Sequence, residues 1–64
     1  VTVTTDIYKY IYINYGNSRD IFIPTNKQTV TNHVILFVYE KKIETELIAN
    51  MVQKAKKKLS KLHH

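Results

Sequence analysis

The residue pattern of this chain changes once, near Glu40, and this change constrains its fold class. From residue 3 to residue 15 almost every side chain is β-branched or aromatic, and the side chains alternate in type with period two. Such alternation is typical of a β-strand. After Glu40 the apolar residues recur at three-four spacing, which is typical of an amphipathic α-helix. The sequence therefore predicts an α+β domain.

Turn-forming residues divide the first part of the chain into predicted strands. Gly16 and the asparagine after it tolerate the positive φ values of a tight reversal, so a strand over residues 3–15 is predicted to end in a hairpin turn. A second strand, over residues 21–24, is predicted to end at its proline, which lacks a backbone N–H. Residues 30–39 are predicted to form a third strand, apolar on both faces at its centre.

The C-terminal segment is predicted to form one helix over residues 42–62. Glu44 and Glu46 lie near its start and the lysines near its end, as the helix macrodipole favours. The predicted architecture is a three-stranded antiparallel meander followed by one amphipathic helix, β-β-β-α, in a single domain over residues 1–64. His63 and His64 fit the remnant of a purification tag and carry no weight as site residues.

The chain of 64 residues has room for only one small core, because a domain of this size buries about 60% of the surface that its unfolded chain exposes. It has no cysteine and no metal-ligand cluster, so neither a disulfide nor a bound metal can stabilise it. Oligomerisation is the other common way in which such small domains are stabilised. No apolar run approaches the roughly 20 residues of a membrane span, and no signal peptide is evident. The chain is rich in isoleucine, tyrosine, asparagine, threonine and lysine, which is typical of proteins encoded by A/T-rich genomes, including those of many viruses. We expect a soluble cytoplasmic protein, which would lie in the host cytoplasm if its source is a virus.

One helix covers one face of such a sheet, which leaves the other face without cover. The odd residues Ile7, Ile11 and Ile13 are predicted to meet the helix. The even residues of the first strand, Tyr8, Tyr10 and Tyr12, are predicted to form an open face that is rich in aromatic side chains. The hairpin register decides whether Phe22 joins this face, together with either Phe37 and Tyr39 or their opposite-parity neighbours on the third strand. Large apolar patches are uncommon on monomers, so this face is expected to seal a homodimer, to stack nucleobases or to dock on another protein.

All of the net charge lies in the last part of the chain. Residues 1–53 carry five basic and five acidic side chains, and the five lysines that follow supply the formal net charge of +5. Lys54, Lys57, Lys58 and Lys61 fall on one side of the predicted helix, with Arg19 and Lys27 as secondary basic residues in loops. Phosphate groups are the expected partners, with a log-log salt slope of about 4 to 5 for five contacts. A solvated helix end, an anionic membrane surface and an acidic protein are the alternatives.

Residues for catalysis are sparse. His33 has no evident partner, there is no cysteine nucleophile, and the single glycine excludes glycine-rich phosphate loops. We therefore expect a protein that is not an enzyme and that needs no cofactor or metal.

The function that the sequence predicts is a small basic nucleic-acid-binding protein, a homodimer, that contacts the phosphates of DNA or RNA through its lysine-rich helix end. The alternative is a non-enzymatic protein-interaction module, such as a viral or plasmid-borne modulator of a host protein, that docks through its tyrosine-rich sheet face.

Overall fold

The structure, a computed structural model, describes residues 1–62. Three strands come first: β1 (Thr2–Thr5), β2 (Ile11–Tyr15) and β3 (Ser18–Phe22). Helix α1 (Lys27–Lys41), a 3₁₀ turn (Thr45–Leu47) and helix α2 (Ile48–Leu62) follow. The strands form one antiparallel sheet in the order β1-β2-β3, with β2 in the centre. The predicted α+β class, with a three-stranded antiparallel sheet ahead of C-terminal helix, is confirmed.

The predicted first strand over residues 3–15 is wrong in its extent, because a turn at Asp6 divides it into β1 and β2. The Asp6 carboxylate accepts a hydrogen bond of 2.6 Å from the Tyr8 N–H, and the Asp6 N–H donates to the Tyr10 carbonyl at 2.8 Å. Lys9 takes up a left-handed conformation with φ of 84°. Hydrogen bonds between an aspartate side chain and nearby backbone N–H groups compete with the hydrogen bonds of a β-sheet and favour a turn. The chain therefore reverses after Asp6 although the alternation of residue types continues through the turn.

The predicted third strand over residues 30–39 is also wrong, because these residues lie within α1. Asn26 caps the helix: its side-chain oxygen accepts a hydrogen bond of 2.8 Å from the Thr29 N–H. Val30, Val34, Phe37 and Val38 are then buried at helical spacing. A short run of apolar residues fits a buried strand or a buried helix equally well, which is why the pattern alone misled.

Two further boundaries differ from the prediction. The strand predicted over residues 21–24 corresponds to β3, which starts earlier, at Ser18 directly after the hairpin turn, and ends at Phe22. The helix predicted over residues 42–62 starts later, because Lys42 ends α1 as a left-handed C-cap with φ of 54°. The regular α-helix resumes at Ile48.

The core lies on one face of the sheet, between the strands and the two helices. Helix α2 packs against both β1 and α1 and buries Met51, Val52, Ala55 and Leu59. Ile11 and Ile13 of β2 are fully buried, as predicted, whereas Ile7 lies in the turn and is 87% exposed. The other core residues are Val3, Phe22, Val30, Val34, Phe37, Val38 and Ile43.

The N-cap of α1 provides a test of the helical assignment. Asn26→Ala is expected to lower the free energy of unfolding by about 0.5 to 2 kcal/mol, because the Thr29 N–H loses its acceptor. Urea unfolding followed by circular dichroism measures the change. Asn32→Ala is the matched control: Asn32 is exposed inside α1 and its side chain bonds only that of Gln28, so this substitution should leave the protein as stable as before or slightly more stable, because alanine favours a helix. Equal effects of the two substitutions would argue against the cap.

Candidate functional site

Four lysines of α2 line one groove on the surface. Lys54, Lys57, Lys58 and Lys61 face Val1, Thr2 and Val3 across a groove of about 320 Å³, which we call the lysine groove. These are the four α2 lysines that the sequence predicted to share one side of a helix. What the sequence did not indicate is that β1 forms the opposite wall.

The rotation of α2 follows from the residues that it buries. Ala55 and Leu59 point into the core, and Lys54 and Lys58 each precede one of them along the helix. The four groove lysines therefore recur at i, i+3, i+4 and i+7 on the flank nearest β1. Like charges at i,i+4 repel one another, and an anion in the groove relieves this repulsion.

Within residues 1–62 no carboxylate lines the lysine groove, and Asp6 lines a neighbouring pocket that shares Lys61 with it. Among residues 1–62 the contact within 4.0 Å between a basic and an acidic side chain joins His33 to Asp20, on the side of the molecule formed by α1 and β3. The groove lysines make no ion pair with any described residue. Strand β1 is at the edge of the sheet, and an edge strand presents backbone N–H donors that also bind anions. The groove is thus a strip of positive charge beside open backbone groups.

The sheet face away from the helices carries a second group of candidate residues, led by Tyr10 and Tyr12. Their ring centroids are 6.5 Å apart and the rings are tilted by 43°. The guanidinium carbon of Arg19 lies 4.8 Å from the centre of the Tyr12 ring. The Tyr12 hydroxyl donates a hydrogen bond of 3.1 Å to Asp6. Tyr12 is therefore partly covered and tied in place, while Tyr10 is 38% exposed.

The predicted aromatic face is smaller than expected. Phe37 is a core residue at 1% exposure, and Tyr39 is 82% exposed on α1, so neither belongs to the sheet. Phe22 is buried and Tyr15 packs against the core. Tyr8 projects from the tip of the β1–β2 turn with 73% exposure. The prediction placed Phe37 and Tyr39 on the sheet because it assigned their segment to a strand.

The two secondary basic residues lie away from the lysine groove. Arg19 belongs to β3, on the opposite edge of the sheet from β1. Lys27 is the first residue of α1 and is exposed. The structure therefore brings together the four α2 lysines and leaves these two residues apart from them.

His33 has partners that the sequence did not indicate. Its ring stacks on Phe22, with a centroid distance of 3.9 Å and an angle of 16°, and its Nε2 atom contacts the Asp20 carboxylate. His33 lies on α1 and not on the third strand predicted over residues 30–39. These contacts join α1 to β3, so we assign His33 a structural role.

The surroundings of Tyr12 change its acidity. Partial desolvation on the sheet raises the pKa of Tyr12 above its ordinary value, and the hydrogen bond to Asp6 and the charge of Asp6 act in the same direction. Arg19 opposes this shift. The neutral phenol is therefore the form that the folded sheet favours.

Comparison with protein-family models, curated proteins and solved structures finds no significant match for this chain. Within residues 1–62, neither helix is long and apolar enough to cross a membrane. The same part of the chain brings no three His, Cys, Asp or Glu side chains together in a group that could hold a metal ion. The function is therefore argued from the geometry of the lysine groove and the sheet face.

The raised pKa of Tyr12 predicts a loss of stability in alkali. The phenol holds its proton more tightly in the folded state, so its contribution to stability is complete below the unfolded pKa of about 10 and is lost as the pH rises through the folded pKa. Spectrophotometric titration of the tyrosines should show one late-titrating group that Tyr12→Phe removes.

Asp6→Asn should shift this late titration to lower pH, because it removes the negative charge beside the phenol. Glu46→Gln removes an equally negative side chain at an exposed position elsewhere and should leave the titration unchanged. If Asp6→Asn has no effect on the late titration, Asp6 does not contribute to the pKa of Tyr12.

Proposed function

We propose that this protein binds nucleic acid, with the phosphates lying in the lysine groove. One observation carries the proposal: four lysines and an edge strand line a single groove, to which residues 1–62 contribute no carboxylate. Phosphate is the anion that recurs along a polymer, and neutralising several phosphates releases their bound counterions. The formal net charge of +5 draws such a polymer in from a distance.

The neighbouring sheet face favours single-stranded nucleic acid as the ligand. Tyr10 directly precedes β2, in the turn that joins this strand to β1. Lys61, at the end of the lysine groove, also lines a pocket with Asp6 and Ile7, so a nucleic-acid strand that follows the groove leads toward the turn that carries Tyr8 and Tyr10. Tyr10 and Tyr8 have free ring surface, and a base that stacks on such a ring gains about 1 to 3 kcal/mol.

The alternative function, a protein-interaction module that docks through a tyrosine-rich sheet face, has less support. That face holds Tyr10 and Tyr12, and Tyr12 is already occupied by Arg19 and Asp6. The lysine groove, in contrast, has no role in this alternative. We accordingly propose a cytoplasmic DNA- or RNA-binding protein that acts without catalysis.

Removal of the groove lysines tests the phosphate contacts. A variant with Lys54, Lys57, Lys58 and Lys61 all changed to Gln should bind single-stranded DNA or RNA so weakly that retention on it is lost. The salt slope should fall by about 3, because each lost phosphate contact on a single strand removes about 0.7 from it. Fluorescence anisotropy with a labelled oligonucleotide at several salt concentrations measures both quantities.

The matched control carries the same change in net charge at other positions. Changing Lys9, Lys27, Lys41 and Lys56 to Gln also lowers the formal charge from +5 to +1, but it leaves the groove intact. This control should keep most of the affinity and of the salt slope. Equal loss in the two quadruple variants would show that net charge, and not the groove, determines binding.

Stacking is tested separately from phosphate binding. Tyr8→Leu and Tyr10→Leu should each weaken binding to a single strand by about fivefold or more, with little effect on a duplex, whose bases are already stacked. Since the chain has five tyrosines and no tryptophan, quenching of tyrosine fluorescence by the oligonucleotide reports the contact directly.

With an oligonucleotide short enough to contact one lysine groove only, Tyr39→Leu is the control for these variants, because Tyr39 is 82% exposed but lies on α1. This substitution should not change the affinity for the oligonucleotide or the degree to which the oligonucleotide quenches the fluorescence of the other tyrosines. If Tyr8 and Tyr10 prove dispensable while the groove lysines are required, the ligand is held by its phosphates alone.

A further inference from the structure

Helix α1 is apolar around its whole circumference over residues 34–39. Val34, Phe37 and Val38 on the inner side are buried. On the outer side Ile35 is 47% exposed, Leu36 is 53% exposed and Tyr39 is 82% exposed. A helix that is apolar on all sides is ordinarily covered on all sides. The outer side of α1 therefore requires cover that a single chain does not give.

This outer side includes both a projection and a recess. A groove of about 320 Å³ lies between the end of α1 and the start of α2 and has mainly apolar walls, and we call it the α1–α2 groove. Tyr39 stands at its rim with most of its ring in solvent. The residues that line it are Ile35, Val38, Tyr39, Lys42, Ile43, Thr45 and Ile48.

We propose that a second copy of this chain covers this surface, in a two-fold dimer in which Tyr39 of each copy enters the α1–α2 groove of the other. A two-fold interface uses the same surface twice, so it needs a projection and a matching recess side by side. Ile35 and Leu36 would then pack across the axis. Tyrosine and aliphatic anchors of this kind dominate stable interfaces.

The charges around the groove favour a copy over a strongly charged partner. Lys42 lines the groove, and the exposed charged residues next to the lining residues in sequence, Glu40, Lys41, Glu44 and Glu46, bring the local charge close to balance. A rim of mixed sign is complementary to itself, because a glutamate of one copy can face a lysine of the other. An acidic polymer or a basic protein gains nothing from such a rim.

The lysine groove is distant enough not to oppose this dimer. Its lysines begin six residues and end thirteen residues beyond Ile48, which is about 9 Å to 20 Å along α2 at 1.5 Å per residue. The two positive strips thus stay away from the interface. Dimer formation through this surface does not require nucleic-acid binding.

The association state tests the proposal. Sedimentation equilibrium of the purified chain, from micromolar to millimolar concentration, should show a monomer–dimer equilibrium. Ile35→Glu and Tyr39→Glu should each raise the dimer dissociation constant at least about 30-fold, as expected for an interface hot spot. Both side chains are exposed in the single chain, so the folded monomer should survive, which circular dichroism checks.

Ile7→Glu is the matched control, because Ile7 is an equally large and more exposed side chain at the β1–β2 turn. It should leave the dissociation constant unchanged. A chain that stays monomeric up to millimolar concentration overturns the proposal, and so does a dimer that Ile7→Glu disrupts and Ile35→Glu and Tyr39→Glu do not.

Cysteine cross-linking tests the geometry, since the chain has no cysteine of its own. Tyr39→Cys chains mixed with Thr45→Cys chains under oxidation should form a disulfide between the two kinds of chain. Ile7→Cys chains mixed with Thr45→Cys chains should not. Cross-linking of the second pair as efficient as that of the first would mean that Tyr39 does not enter the groove.

Discussion

The packing of α2 against two different neighbours holds this structure together. Its apolar residues Met51, Ala55 and Leu59 are almost completely buried, between β1 on one side and α1 on the other. The sheet is too small to form a core with a single helix, and α1 alone has few contacts with it. Because one helix bridges both neighbours, its rotation about its own axis is fixed, and that rotation decides which residues face outward.

The same constraint separates two surfaces on the molecule. With Ala55 and Leu59 directed inward, the lysines beside them are directed to the free edge of β1. The start of α2 meets the end of α1 and forms a groove with apolar walls. One surface is positive and the other nearly neutral. If a polyanion and a second copy of the chain bind as proposed, they occupy different surfaces, and a dimer would present two lysine grooves to one polymer, which would raise its effective affinity.

Contacts of aspartate and histidine side chains join parts of the fold that apolar packing alone does not fix. Asp6 closes the turn between β1 and β2 and holds Tyr12 by its hydroxyl. Asp20 and Phe22 of β3 contact His33 of α1. Neither set of contacts follows from hydrophobic patterning. The aspartates and the histidine carry no periodic signal, so their partners become evident only when distant segments are brought side by side.

The sequence by itself determined the α+β class, the inward direction of Ile11 and Ile13, and the clustering of four lysines on one side of the last helix. These features depend on spacing within one strand or one helix, which is a local property of the chain. The tertiary structure decided that residues 30–39 form a helix, because an apolar run fits either element until its neighbours are in place. It also placed the lysines against β1 and left Ile35 and Tyr39 exposed, since burial depends on what packs against a residue and not on its own sequence context.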